Sequence, residues 1–399
     1  MRFLAIVGSV ILATTAVGCT VAGRGEATVT PSEGQPPRSA PAPQPASVVA
    51  GTPDWPMFRL NLEHTGARGS EGLLGSPELR WVFDTGGIVE SSPAVVGGVV
   101  YAGTFDRNLF ALDSITGELR WRFGVGGLLR ASPSVVDGTV YFGADDNRFY
   151  AVDASTGEEL WAFALGPGGE QSSPAVSAGI VYFGAFDRNV YALDIKTGAE
   201  VWRFTTGAGI LSSPAVHDGT VFIGSIDGNL YALDDQTGAQ RWRFTTSAPV
   251  FSSPAVRDGV VYFGSDDGFA YAVDAGDGEQ RWRFKTGAEV FSSPAVADGR
   301  AYIGSSDGFV YALDAMTGEL VWKIGLGGPV LSSPAILGRL LYVGSSDGRL
   351  YAIERSTGQL AWSFVVGDMV WTSPAVIDGV AYFGSHDGKI YAIEAVGKD

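Results

Sequence analysis

The side chains of this 399-residue chain that could carry out chemistry are few in kind and repeated in position. A serine precedes a proline at Ser92, Ser132, Ser173, Ser213, Ser253, Ser293, Ser333 and Ser373. A serine becomes a nucleophile when a base lies within reach of its hydroxyl, but eight copies describe geometry rather than one reacting centre. The Ser-Pro step is expected at the mouth of an innermost strand, where proline is tolerated as the first strand residue because no ladder partner needs its missing N–H. Asp106, Asp146, Asp187, Asp227, Asp267, Asp307, Asp347 and Asp387 recur in the same way. They could form an acidic ring, yet a hard cation needs several oxygens converging on one point, and an aspartate in a short turn bonds its own backbone. The only histidines are His64, His217 and His386. They are expected at surface turns, with neither zinc-ligand spacing nor triad order among them. Cys19 is the sole cysteine, so no disulfide can form within these residues.

What must position these side chains is a repeat. Trp81, Trp121, Trp161, Trp202, Trp242, Trp282, Trp322 and Trp362 stand 40 residues apart, with a single step of 41. A fixed period of that length signals repeat architecture. Within one unit the pattern reads as strands at 213–216, 221–224, 230–233 and 240–244, joined by turns at Asp218-Gly219, Asp227-Gly228 and Thr237-Gly238. Asp-Gly between alternating apolar residues signals a hairpin, and four antiparallel strands per ~40 residues make a propeller blade. Eight front halves each open on Ser-Pro, and the eighth runs out at Ala395 with no tryptophan strand after it. Residues 76–83, SPELRWVF, are a tryptophan strand with no front half. The expected fold is therefore all-β: an eight-bladed β-propeller of four-stranded antiparallel blades, closed by the N-terminal strand completing the last blade. A linear array would instead need polar capping repeats.

Before the repeats the composition changes twice. Residues 1–19 carry one charge at Arg2, an apolar run and a small-residue end before Cys19, the pattern of a secretory signal. The Gly18-Cys19 step resembles the lipobox of bacterial lipoproteins, with Ala16 where leucine is commonest, and implies lipidation of Cys19. Residues 20–53 are rich in Pro, Ala, Ser and Gln and are expected to form an extended tether. Residues 54–75 form a pre-repeat segment, with Trp55 and Phe58 expected to pack on the body, and residues 76–396 the propeller. The net charge of −16 argues against nucleic acid as a partner, and no apolar run in the body approaches the ~18 residues of a membrane span.

The segments ALDSITGELRW, AVDASTGEELW, ALDIKTGAEVW, ALDDQTGAQRW, ALDAMTGELVW and AIERSTGQLAW resemble the tryptophan-docking motif of quinoprotein-type propellers. This is the PQQ-like repeat family, which includes the pyrroloquinoline quinone dehydrogenases and the BamB lipoprotein of outer-membrane barrel assembly. The resemblance covers residues 55–395, and residues 55–66 resemble the stretch that precedes the blades of many such propellers. Asp277 replaces the motif's threonine and Glu354 its aspartate, neither of which threatens the fold. The motif implies that each tryptophan stacks on a turn of the neighbouring blade. The dehydrogenases of the family use a vicinal cysteine pair, a catalytic aspartate and calcium ligands. With no cysteine after Cys19 and no inserted loop, the resemblance does not bring that activity with it, and no cofactor is expected.

Function is then expected where the repeat varies. Just before successive Ser-Ser-Pro, Ala-Ser-Pro or Thr-Ser-Pro steps stand Glu90, Arg130, Gln171, Leu211, Phe251, Phe291, Leu331 and Trp371, three polar residues and then five apolar ones. They should ring the channel mouth. The loops between second and third strands split likewise, with Arg107 and Arg188 where other blades have the glycine that a positive φ favours. Aromatic residues and arginine are the types that dominate binding surfaces. The expectation is an extracytoplasmic, lipid-anchored, monomeric, non-catalytic scaffold that touches the membrane only through its anchor and binds a protein or peptide, with BamB-like envelope assembly as the model. A quinone-dependent enzyme and a carbohydrate- or cell-wall-binding module are the alternatives.

Overall fold

The computed structural model describes residues 54–68, 75–169 and 172–396. Residues 1–19 with Cys19, the tether at 20–53, and Gln171 lie outside the described residues. Strands A to D of each blade run outward from the axis, and eight such antiparallel sheets are present. In the fourth blade they are Ala215–His217, Thr220–Gly224, Asn229–Asp234 and Gln240–Thr245. Strand A thus starts two residues later than the sequence pattern suggests, because the Ser-Pro step precedes the ladder. In the eighth blade strand D is Ser76–Asp84, paired antiparallel with Lys389–Val396, so the two ends of the repeat array are hydrogen-bonded to each other.

Two sets of contacts hold the blades together. On the outside, the indole N–H groups of Trp81, Trp121, Trp161, Trp202, Trp242, Trp282 and Trp322 each donate to a carbonyl in the next blade's C-to-D turn, at 2.9–3.0 Å. The turn glycine lies flat on the indole. A Cβ on Gly238, whose φ is +70°, would stand 2.6 Å from the Trp202 ring. Near the axis, the backbone N–H of each Ser-Pro serine donates to the hydroxyl of the corresponding serine one blade on. The series runs from Ser92 to Ser373 and closes with Ser373 on Ser92 at 2.8 Å. The repeated serine is a link in this ring, which accounts for its presence in every blade.

The pre-repeat segment fills the axis below that ring. Strand A is the inner edge of every blade, and an unpaired strand edge must find partners. Trp55 pairs with Val95, and the carbonyls of Pro56, Leu62, Glu63, Thr65 and Gly66 accept from Val135, Val216, Val256, Val296 and Ile336. The segment thus meets six inner strands in turn, and on the last of these, in the seventh blade, Ala67–Arg68 pair parallel with Ala335–Leu337. Trp55 is buried as expected, whereas Phe58 is half-buried and meets His64 edge-on at 5.6 Å. The Arg59 guanidinium, wholly buried, donates to the carbonyls of Ser293, Pro294 and His64.

A tryptophan buries ~150 to 250 Å², and truncating a buried aromatic costs roughly 3 to 5 kcal/mol. Trp242→Ala removes such a ring, its bond to Ala275 and the seat of Gly278. It is expected to lose stability in that range by denaturant unfolding; an unchanged midpoint would contradict the docking role.

Candidate functional site at the channel mouth

The D-to-A and B-to-C loops lie on one face and are bonded together, as where Asp266 donates its N–H to Pro249 and Val250 donates to Ser265. Asp54, at the start of the pre-repeat segment, accepts from Gly97 in an A-to-B turn, on the opposite face. Each B-to-C loop is pinned by its repeated aspartate. In the fourth blade Asp227 accepts from the N–H of Asn229, the hydroxyl of Tyr231 and the N–H of Gly207. These aspartates are turn locks, as their type and setting suggest. Where glycine is replaced, φ stays positive, +69° at Arg107, +65° at Asn147 and +78° at Arg188, and both arginine side chains are exposed.

Above this frame stand two residue sets. The lead-in residues Glu90, Arg130, Leu211, Phe251, Phe291, Leu331 and Trp371 are half-buried. The second set, which no motif marks in the sequence, is the loop-tip residue two places after the last glycine of strand B: Phe105, Asp145, Phe186, Ile226, Asp266, Ser306, Ser346 and His386. The two sets interleave. Arg130 donates to Asp145 at 3.0 Å and to Glu90 at 3.4 Å, and its guanidinium lies 4.7 Å from the Phe105 ring centre. Trp371 donates to the Ser346 hydroxyl at 3.0 Å and packs on the His386 ring at 4.4 Å. Phe251 and Phe291 stack at 4.6 Å with 12° between planes. The structure thus joins Glu90 with Arg130 and Phe251 with Phe291, and sets tip residues against Arg130, Glu90 and Trp371.

Two histidines depart from expectation. His64 is not at the surface: its Nδ1 lies 3.2 Å from the Pro254 carbonyl, and burial, then the Arg59 charge, pushes its pKa down to about 3. It is neutral, and because a carbonyl only accepts, the proton sits on Nδ1. His386 is also largely enclosed, and burial lowers its pKa. Burial likewise raises Glu90, against the pull of Arg130. Burial thus works against charge on both partners in the 3.4 Å approach of His386 to Glu90. His217 is partly exposed, but it ends strand A of the fourth blade just before the turn, near Glu63 and Asp218.

Among the described residues no three His, Cys, Asp or Glu side chains converge on a cation, and Glu90 and Asp145 are engaged with Arg130.

The pKa of Asp266 is raised to about 7 by burial, then by Glu289 and Asp267. The folded chain therefore keeps a proton that the unfolded chain releases, and stability falls as pH rises from about 4 to about 7. Asp266→Asn removes that loss. Its melting temperature should exceed the wild type's at about pH 8, and this advantage should shrink towards about pH 4. An advantage constant with pH would contradict the assignment.

A family model described as "Beta-alanine-activating enzyme, beta-propeller" matches residues 139–340, just over half of the chain. One described as "Outer membrane protein assembly factor BamB" matches residues 75–200. Sequence comparison with curated proteins gives no match. BamB from Moraxella catarrhalis is 21% identical in sequence, with a TM-score of 0.70 over 80% of this chain and 99% of that one. Quinohemoprotein alcohol dehydrogenase from Comamonas testosteroni is 17% identical, with a TM-score of 0.76 over 89% of this chain and 82% of that one. A europium-containing methanol dehydrogenase is 16% identical, with a TM-score of 0.75 over 86% of this chain and 98% of that one. At such identities the likeness is one of fold, which hosts both a BamB and dehydrogenases. By its repeats, its eight closed blades and the model matched over residues 139–340, the chain belongs to the PQQ-like β-propellers, in the family described as the beta-propeller of beta-alanine-activating enzyme.

Proposed function

We propose that this propeller is an extracytoplasmic, lipid-anchored scaffold that captures a protein or peptide on its mouth and catalyses nothing. The observation that carries the reading is the interleaved mouth itself: half-buried aromatics beside a charged sector braced by its own ion pairs, on the face opposite the one Asp54 contacts. Aromatic and arginine side chains held in place by neighbours lose little entropy on binding and dominate interface energies. The signal-like residues 1–19 and Cys19 support export and anchoring, and the tether at 20–53 would give the body reach from a membrane. The match of residues 75–200 to the model named for outer-membrane protein assembly supports an envelope role, with assembly of other proteins as the model activity.

The reading predicts that Arg130→Glu, Phe251→Ser and Trp371→Ser each weaken capture of the native partner by about tenfold or more, the scale of a lost hot spot, with circular dichroism unchanged. Crosslinking and pull-down from the source cells check it; capture equal to wild type in all three would contradict it.

A further inference from the structure

The polar tips on one side of the mouth are used within the chain: Asp145 holds Arg130, and Ser346 receives the Trp371 indole. In the fifth and sixth blades the pattern breaks. Oδ1 of Asp266 and the hydroxyl of Ser306 are buried without a hydrogen-bond partner. Their backbones are nevertheless fixed, with Asp266 donating its N–H to Pro249 at 3.0 Å and Ser306 to Glu289 at 2.9 Å.

Equivalent loops show where these side chains stand. A tip residue lies between the lead-in residue of its own blade and that of the next. Asp145 bonds Arg130 of its own blade, Phe105 lies against Arg130 of the next, and His386 reaches both Trp371 of its own blade and Glu90 of the next. The same register puts Asp266 between Phe251 and Phe291, and Ser306 on the far side of Phe291. By this register two side chains with unpaired buried oxygens flank a stacked aromatic pair.

A buried acceptor without a donor costs free energy until a donor arrives. The surroundings select a cation as that donor. Glu289 and Asp267 act on Asp266 with negative charge, and the chain as a whole carries −16. Phenylalanine faces attract cations, and the aliphatic stem of a long basic side chain packs on apolar surface while its head reaches a polar group. We infer that the mouth at the fifth and sixth blades is a receptor for a lysine or arginine side chain of the partner, its head on Asp266 and Ser306 and its stem along Phe251 and Phe291. The inference rests on the mouth being a protein-binding face; a neutral saccharide stacked on the phenylalanine pair is the competing occupant.

The test is titration of the mature chain with acetyl-Ala-Lys-Ala-amide, with the arginine and norleucine counterparts, and with maltose, followed by NMR of labelled phenylalanine rings. The lysine and arginine peptides should shift the Phe251 and Phe291 signals, the norleucine peptide should not, and Asp266→Asn should weaken the response by about tenfold, equivalent to about 1.4 kcal/mol. Asp266→Asn is expected to be at least as stable as the wild type, so a lost response reports the site and not unfolding. An equal response to norleucine, an unaltered response in Asp266→Asn, or a response to maltose alone overturns the inference. Absence of any response while Trp371→Ser still loses its partner rejects the cation receptor and leaves the mouth as an interface. A lysine response abolished in Asp266→Asn, with no partner captured by the wild type, keeps the receptor and rejects the scaffold reading.

Discussion

Eight strand edges face one axis in this molecule, and each must be satisfied without a ninth blade to pair with. The ring of serine hydroxyls does this at one level, each accepting the N–H of the serine one blade earlier until Ser373 meets Ser92. The segment before the repeats does it below, laying its carbonyls against Val135, Val216, Val256, Val296 and Ile336. A single hydrogen bond of this kind contributes only about 1 kcal/mol net, but a closed circuit cannot lose one member without disturbing two blades. The tryptophan docks act in parallel at the periphery, where Trp81 in the strand from the N-terminal side reaches Ser114 in the first blade. Closure is thus enforced at the inner radius by the serine ring and at the outer radius by the tryptophan docks.

This constraint explains where chemistry can vary. Serine, proline, the loop aspartate and tryptophan are all committed to joints between or within blades, so changing any of them endangers the ring. The lead-in and tip positions carry no such duty. They stand on loops whose backbones are fixed by Asp227 and its equivalents, and their side chains can be exchanged without moving the frame. A rigid rim with free choice at these alternating positions suits recognition. The axis beneath it is occupied by Arg59 and His64, which bond carbonyls of the Ser-Pro steps.

Much of this is legible in the residues alone. The tryptophan period, the orphan strand at 76–83 and the missing partner after Ala395 determine blade number and closure, because strand pairing is an accounting problem that a repeat makes explicit. The strained loop positions at Arg107 and Arg188 follow from glycine being absent there. The course of residues 54–68 does not follow, since they have neither periodicity nor a turn signal and their pairing is set by edges contributed from six blades. His64 misleads for the same reason: a histidine in a polar-looking segment gives no sign that the segment is threaded through an interior. The mouth is half legible. Glu90, Arg130, Phe251 and Trp371 stand out against a constant Ser-Pro step, whereas Asp266 and His386 sit in loops that look like ordinary turns until the neighbouring blade is placed beside them.

The most direct test of the mouth as the working face is site-specific photocrosslinking in the source cells. A benzophenone side chain would be placed at Ile226 on the rim and, separately, at Ile115 and Met316, exposed residues of the C-to-D turns on the opposite face. The account predicts a discrete protein adduct from position 226 and none of the same identity from 115 or 316. Adducts from the turns with none from the rim would contradict it.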